Sequence, residues 1–394
     1  SEIVGLIRGK RGTKITVRLL ATGASMSQAR NVSLVRDVIQ EEDAGVRSRT
    51  VELTRDGTKH VFGVLEIPSF YFDYRSRRAG AEYRSVSEDT AKALESLKAQ
   101  KVEGILIDLR NDPGGSLEEV ARMLGQVIKS GPVVQIRDGN GNVSVYEDTD
   151  GGEQLYAGPM AVLINLASAS ASEIYSAAIQ DYERGIIIGS TTTGKGTAQV
   201  QLDTLAHGQA TLTQRKFYRV TGGSTQNKGV IPDIKLVDIY NEEFGERKSK
   251  NALKWDTIPT APFKRAGSTQ PYVAKLSQAS AQRVLADSQF KYLEARTAIN
   301  KKSADQKKVV LDIDQRRAEL MDLEKQTLAV ENQRRVATGQ VPYANWESYQ
   351  ASIDALVESR AKMKAHLRPA LPEEETFVTE AANVLLDYAK LQGR

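Results

Sequence analysis

Lys195 stands between Gly194 and Gly196, and 25 residues before it Ser170 is the middle of three serines in SASASE, with Ser168 and Ser172. A serine hydroxyl is a weak nucleophile until a base takes its proton. Histidine is scarce as that base: the chain has only His60 in a hairpin, His207 in a turn (LAHGQ) and His366 in the late helical region. Each reads as structural or solvated. A lysine can replace histidine if it sheds its own proton, which burial away from carboxylates favours. The surroundings of Lys195 suit that role. Its glycines allow close backbone approach, and Thr192, Thr193, Thr197 and Gln199 can hydrogen-bond without adding charge. No acid lies between Glu183 and Asp203.

The stretch MAVLINLASASASEIYSAAIQDY runs from a buried strand through the serines into a helix. A serine at such a turn lies beside N–H groups without helical partners, and these can receive the charge of a tetrahedral intermediate. A second turn, RNDPGG, follows the buried strand GILIDL. The amide of Gly114 or Gly115, facing that of Ala171, would complete an oxyanion hole. Each feature also has a plain reading. Ser170-Ala-Ser-Glu173 is itself a capping box, and DPGG is a tight connection in which glycine supplies positive φ.

The same lysine raises a rival chemistry. GSTTTGKGT, Gly189 to Thr197, comes one residue short of the phosphate loop G-x-x-x-x-G-K-[ST]. Asp108 at the end of GILID even offers a magnesium-side carboxylate. However, Gly196 displaces the hydroxyl to Thr197, and TAQVQL alternates as a strand does. Without a following helix, the amides and dipole that would bind phosphates are missing.

The supporting elements must hold these turns together. The 394 residues suffice for two or three domains, and 54 basic against 50 acidic residues argue against a nucleic-acid or membrane-surface protein. There is no cysteine, which excludes disulfides, thiolate metal sites and a cysteine nucleophile. No apolar run approaches the roughly 18 to 20 residues that span a bilayer. The chain opens in mid-pattern at Ser1, as a processed or truncated start would. TVELTRDGTKHVFGVLEI predicts a hairpin turning at Asp56-Gly57. SVSEDTAKALESLKAQ predicts a helix capped by Ser87, and SLEEVARMLGQVIKSG one with a capping box from Ser116 to Glu119. VVQIRDGNGNVSVYE predicts a second hairpin. Buried strands GILIDL, MAVLIN and GIIIG alternating with helices imply a largely parallel α/β core. Glycine becomes rare after Gly229, and the polar segment NEEFGERKSKNALKWDTIPTAPF marks a boundary. Beyond it three charged stretches read as solvated helices packed on one another. These are SADQKKVVLDIDQRRAELMDLEKQTLAVENQRR, NWESYQASIDALVESRAKMKAHL and EEETFVTEAANVLLDYAKL, with Val310, Ile313, Leu320 and Leu323 at near-helical spacing.

LRNDPGG, SASASEI, GKGTAQ and FYRVTGGSTQNKGVIPDI, in this order and spacing, resemble the carboxyl-terminal processing peptidases, in their tail-specific protease branch. The resemblance implies an α/β peptidase core like those of the Clp peptidase and crotonase over residues 24–250, and a mostly helical C-terminal domain over 251–394. Residues 1–23 are similar to the end of a PDZ domain, so a PDZ remnant would precede the core. The resemblance implies a serine endopeptidase with Ser170 as nucleophile, Lys195 as general base and Gln199 orienting the lysine. The oxyanion hole would come from Ala171 with Gly114 or Gly115. Four residues of extended strand cover about 13 Å, so a contact from Gln199 to Lys195 requires a bend near Gly196 or Thr197. Where relatives more often carry an acidic residue, a proline and an aromatic, this chain has Ser190, Thr191 and Thr193, which bears on the substrate groove. No metal or cofactor is implied. The implied partners are protein substrates with apolar C-terminal tails and an envelope adaptor protein, and the implied location is the bacterial periplasm. A non-catalytic peptide-binding scaffold of the same fold is the alternative.

Overall fold

The computed structural model describes residues 2–20, 25–37, 45–78, 80, 83–148, 153–202, 208–240, 245–363 and 368–393, in two units, Ser1–Asp43 and Ala44–Arg394. In the first unit, α1 (Glu2–Ile7) leads through a turn into β1 (Lys14–Leu19), which pairs antiparallel with β2 (Arg30–Val35). The Arg36 guanidinium donates to the carbonyls of Leu6 and Ile7, which the end of α1 leaves without helical partners.

The second unit opens with the expected hairpin, β3 (Arg47–Arg55) and β4 (Thr58–Glu66). Asp56 and Gly57 take φ of 54° and 74°, as a two-residue hairpin turn requires. Next come α2 (Tyr74–Arg78), α3 (Val86–Ala99), β5 (Ile105–Asp108) and α4 (Leu117–Gly125). A hairpin of β6 (Pro132–Asp138) and β7 (Val143–Glu147) precedes β8 (Met160–Ile164), α5 (Ala171–Asp181) and β9 (Ile186–Gly189). Three strands follow, β10 (Thr197–Leu202), β11 (Ala210–Tyr218) and β12 (Ile234–Lys235). Five helices complete the unit: α6 (Gln270–Ala286), α7 (Ser288–Asp305), α8 (Ile313–Ala337), α9 (Trp346–Ala361) and α10 (Pro372–Leu391).

The main sheet has the order β12-β9-β8-β5-β4-β3, parallel except for β3. Strands β5, β8 and β9 are buried at every residue. Such strands must be covered on both faces, and they are. Leu65, Ile105, Ile107, Val162 and Ile187 point toward α3, α4 and α5. Val64, Leu106, Ala161, Leu163, Ile186 and Ile188 point toward α6, α7 and α10. The result is a three-layer α/β/α arrangement. In a separate antiparallel sheet, β10-β11-β6-β7, the strands β10 and β11 that follow Lys195 join the earlier β6–β7 hairpin. The composition change near residue 250 thus coincides with a switch from strands to helices, of which α6, α7 and α10 share a core with the sheet.

Three local expectations are corrected. Ser85, not Ser87, caps α3 by accepting the Glu88 N–H. Ser116 does cap α4, but Glu119 does not return the bond: its carboxylate takes the Ser87 N–H at 3.0 Å and ties α3 to α4. A tertiary partner outcompetes the local one. The long charged stretch is not one helix, because α7 ends at Asp305 and Asp312 starts α8 by accepting the Gln315 N–H. Val310 lies between them, and Ile313 and Leu320 face solvent, as a solvated helix face would.

Leu385 of α10 is fully buried over Gly104, where an added Cβ would come within 2.9 Å of its methyl group. Leu385→Ala should therefore cost about 2–5 kcal/mol, read as a lower urea midpoint with an unchanged slope.

Candidate active site

The turn after β8 is fixed by side chains that reach backbone. The Ser168 hydroxyl donates to the Leu109 carbonyl at 2.8 Å and accepts the Asn165 N–H at 3.0 Å. The Ser172 hydroxyl donates to the Asp112 carbonyl at 3.0 Å, which also accepts the Ala169 N–H. Two of the three serines are thus committed to structure. Ser170 differs: it takes φ 57°, ψ −109°, a conformation that costs a non-glycine residue about 1–3 kcal/mol. The expected capping box is half formed. Glu173 accepts the Ser170 N–H, but the Glu173 N–H bonds the Ser170 carbonyl and leaves the hydroxyl available.

Glu173 organises the site. Its side chain is fully buried, and its Oε1 accepts the Thr192 hydroxyl at 2.5 Å and the Gly194 N–H at 2.7 Å. Its Oε2 accepts the N–H groups of Ser170 and Lys195, each at 2.8 Å. The two nitrogens therefore lie no more than twice that distance apart. Burial pushes the Glu173 carboxyl upward, and the Thr192 hydroxyl and the three amides pull it back. The next amide, Gly196, donates to Gln226 Oε1 at 2.9 Å. A Cβ on Gly196 would come within 2.5 Å of the Gln226 nitrogen, and Gly194 takes φ 86° against Asn227, so both glycines around Lys195 are required by packing. Among the described residues, the Lys195 amine pairs with no carboxylate.

The DPGG turn follows β5 and lies against the serine turn: a Cβ on Gly114 would come within 2.9 Å of the Ala171 nitrogen. The Gly114 N–H is taken by Asp112 Oδ1 at 2.7 Å. The N–H groups of Gly115 and Ala171 meet no acceptor among the described residues, so of the two glycines Gly115 has the open amide. Asp112 is fully buried with Oδ2 unpartnered. Burial pushes its carboxyl up to about 7, against the pull of the Gly114 N–H and the Ser172 hydroxyl.

Not every expected contact is made. Ser170 Oγ and Lys195 Nζ share no hydrogen bond, although their backbones are joined. Gln199 is exposed on β10 and makes no hydrogen bond to Lys195 among the described residues; the strand's register shifts at a β-bulge between Ala198 and Gln199, past the bend expected near Gly196 or Thr197. His60 bonds Glu103 at 2.8 Å on the first hairpin, while His207 and His366 lie outside the described residues. The phosphate loop is excluded: β10 follows Lys195, and Glu173 occupies the amides that phosphates would need. A cavity of about 940 Å³, bordered by Arg47, Arg110, Asn165, Asp238 and Glu374, includes neither Ser170 nor Lys195. Sequence reasoning missed the clamping roles of Glu173 and Gln226, whose partners are backbone amides far along the chain.

Residues 61–236 match Peptidase family S41, and residues 239–390 match the C-terminal domain of tail specific protease. The chain is 39% identical over 331 residues to the Tail-specific protease of Haemophilus influenzae, covering 81% of this chain and 45% of that protein. It is 29% identical to the Carboxy-terminal-processing protease of Bartonella bacilliformis, covering 62% of this chain and 52% of that one. The chain thus spans about half the length of these relatives. Among solved structures, a photosystem II D1 C-terminal processing protease is 27% identical, with a TM-score of 0.42 over 60% of this chain and 58% of that one.

Glu173→Gln would turn its NH₂ group either toward the Ser170 and Lys195 N–H groups or toward the Gly194 N–H and the Thr192 hydroxyl, and leave at least one N–H donor unpaired. It should cost about 2–5 kcal/mol in a denaturant titration, and a neutral result would remove the clamp from this account. Asp112 gives a pH-dependent expectation. Its folded-state value lies above the ordinary one, so ionising it destabilises the fold increasingly from about pH 4 to about pH 7 and constantly above. The stability of Asp112→Asn relative to wild type should rise by about 3–4 kcal/mol between pH 4 and pH 8. Parallel urea curves at the two pH values would contradict the burial argument.

Proposed function

The chain belongs to peptidase family S41, in its carboxyl-terminal processing, tail-specific branch, and we propose that it is a serine endopeptidase acting through a Ser170–Lys195 dyad. The observation that carries this reading is the single Glu173 oxygen that accepts both the Ser170 and the Lys195 N–H. It brings an available hydroxyl beside the base of a flexible amine with no ion-pair partner among the described residues. A side-chain rotation of Lys195 then closes the dyad without moving either backbone.

In the proposed mechanism, the unprotonated Lys195 amine takes the Ser170 proton as Oγ attacks the scissile carbonyl. The N–H groups of Gly115 and Ala171 hold the oxyanion. The C–N bond breaks as Lys195 returns the proton to the leaving amine, giving an acyl-enzyme. Water, deprotonated by the same amine, then attacks the ester, and the ammonium returns the proton to Ser170 Oγ as the C–O bond breaks, restoring both groups. Gln199 is assigned to orient the amine, which requires its exposed amide to turn inward at the bulge. Substrates are assigned as proteins with apolar C-terminal tails, the location as the bacterial periplasm, and an envelope adaptor as a partner. These finer assignments rest on the family.

A fluorophosphonate probe tests the reading directly. Wild type should be labelled at Ser170, Ser170→Ala not at all, and Lys195→Ala at least about 10²-fold more slowly. A wild-type serine that stays silent even at alkaline pH would instead favour a non-catalytic peptide-binding scaffold.

A further inference from the structure

A pair of glycines has a weakness as an oxyanion hole. Neither residue resists rotation of its peptide units, so the wrong N–H can turn toward the substrate. In the DPGG turn Gly114 and Gly115 take φ of 103° and 151°, conformations that L side chains rarely adopt. Something other than their own sterics must select the orientation.

Two hydrogen bonds do so. The Gly114 carbonyl accepts the Phe70 N–H at 3.0 Å. That carbonyl shares a planar trans peptide with the Gly115 N–H, so the N–H is directed away from Phe70. The preceding peptide unit is held from the other side by Asp112, whose Oδ1 accepts the Gly114 N–H at 2.7 Å. Asp112 also anchors the opposite wall. Its carbonyl accepts the Ala169 N–H and the Ser172 hydroxyl, each at 3.0 Å, on either side of Ser170. Meanwhile its Oδ2 is buried without a partner. A fully buried carboxyl with one oxygen unsatisfied costs stability, and no cation pairs with it among the described residues. A residue chosen for stability alone would not be an acid here.

We infer that Asp112 is a positioning residue for the oxyanion hole: by taking the Gly114 N–H, its carboxylate leaves Gly115 as the only glycine amide that can face the Ser170 turn. The inference rests on the reading of Ser170 as nucleophile. Asp112 does not touch substrate and acts through the glycine peptide units.

Phosphonylation by a fluorophosphonate tests it on the chain itself, because fluoride leaves through a transition state whose oxygen needs the same amides. Asp112→Ala should lower the maximal labelling rate about 10- to 100-fold with unchanged half-saturation, the loss typical of a weakened oxyanion donor. Asp112→Asn keeps the acceptor oxygen and should label within about threefold of wild type. Asp112→Ala labelling at the wild-type rate, or Asp112→Asn as slow as Asp112→Ala, would overturn the inference. An unlabelled wild type would defeat the peptidase reading instead. Amide hydrogen exchange of the wild type is independent of how the variants fold. Gly114 should be protected and Gly115 should exchange fast, and the reverse order would also overturn the inference.

Discussion

One buried carboxylate with no counter-ion among the described residues is the constraint on which the site depends. Glu173 spends its acceptor capacity on the Ser170, Gly194 and Lys195 amides and on the Thr192 hydroxyl. A carboxylate in an apolar interior is normally held by a cation. Here convergent N–H and O–H groups replace it, and they can do so because the loop after β9 supplies three of the four donors. The charge is thereby satisfied without drawing the lysine amine into an ion pair. Had the amine itself neutralised Glu173, it would have been unusable as a base.

The sheet explains why such distant residues can converge. β5, β8 and β9 are neighbours in parallel, so their carboxyl ends lie in a row. The DPGG turn follows β5, the serine turn follows β8, and the lysine loop follows β9. The carboxyl ends of parallel strands are where open α/β sheets gather their functional loops. Burial on both faces, including the α10 face, keeps these ends in register. The strain at Ser170 is held there by Ser168 and Ser172, which tie the turn to the residues just past β5. In this respect the outer serines support the middle one.

Much of this arrangement was legible in the residues. Apolar runs identified the buried strands, and Asp56-Gly57 located the hairpin. The alternation of TAQVQL separated a strand from the helix that a phosphate loop would need. What was not legible depends on contacts made across the fold. Glu173 sits at the third position of a capping box, where its local role accounts for its presence, and nothing nearby announces Thr192 or Lys195 as its partners. Glu119 failed as a box partner for the same reason: Ser87, 32 residues away, took its carboxylate. Helices α6 and α7 went unread because their polar faces mask the few buried positions, Leu276, Ser280, Phe290 and Leu293, that bind them to the core.

The way Lys195 is held also bears on how it can work. Its own residue and the next are fixed through backbone amides, by Glu173 on one side and by Gln226 on the other, while the Thr192 and Thr193 hydroxyls anchor the loop before it. Gln226 is itself held by Glu246, which bonds both its side-chain amide and the Thr193 carbonyl. A phosphate loop uses the same economy in reverse, leaving its amides open and committing its lysine to the ligand. Here the amides are consumed and the amine is left over. Two loops of nearly the same composition thus differ in which donors are already occupied. A lysine whose backbone is clamped while its amine pairs with no carboxylate among the described residues can change rotamer at small cost, a freedom that the proposed proton transfer with a neighbouring hydroxyl would use.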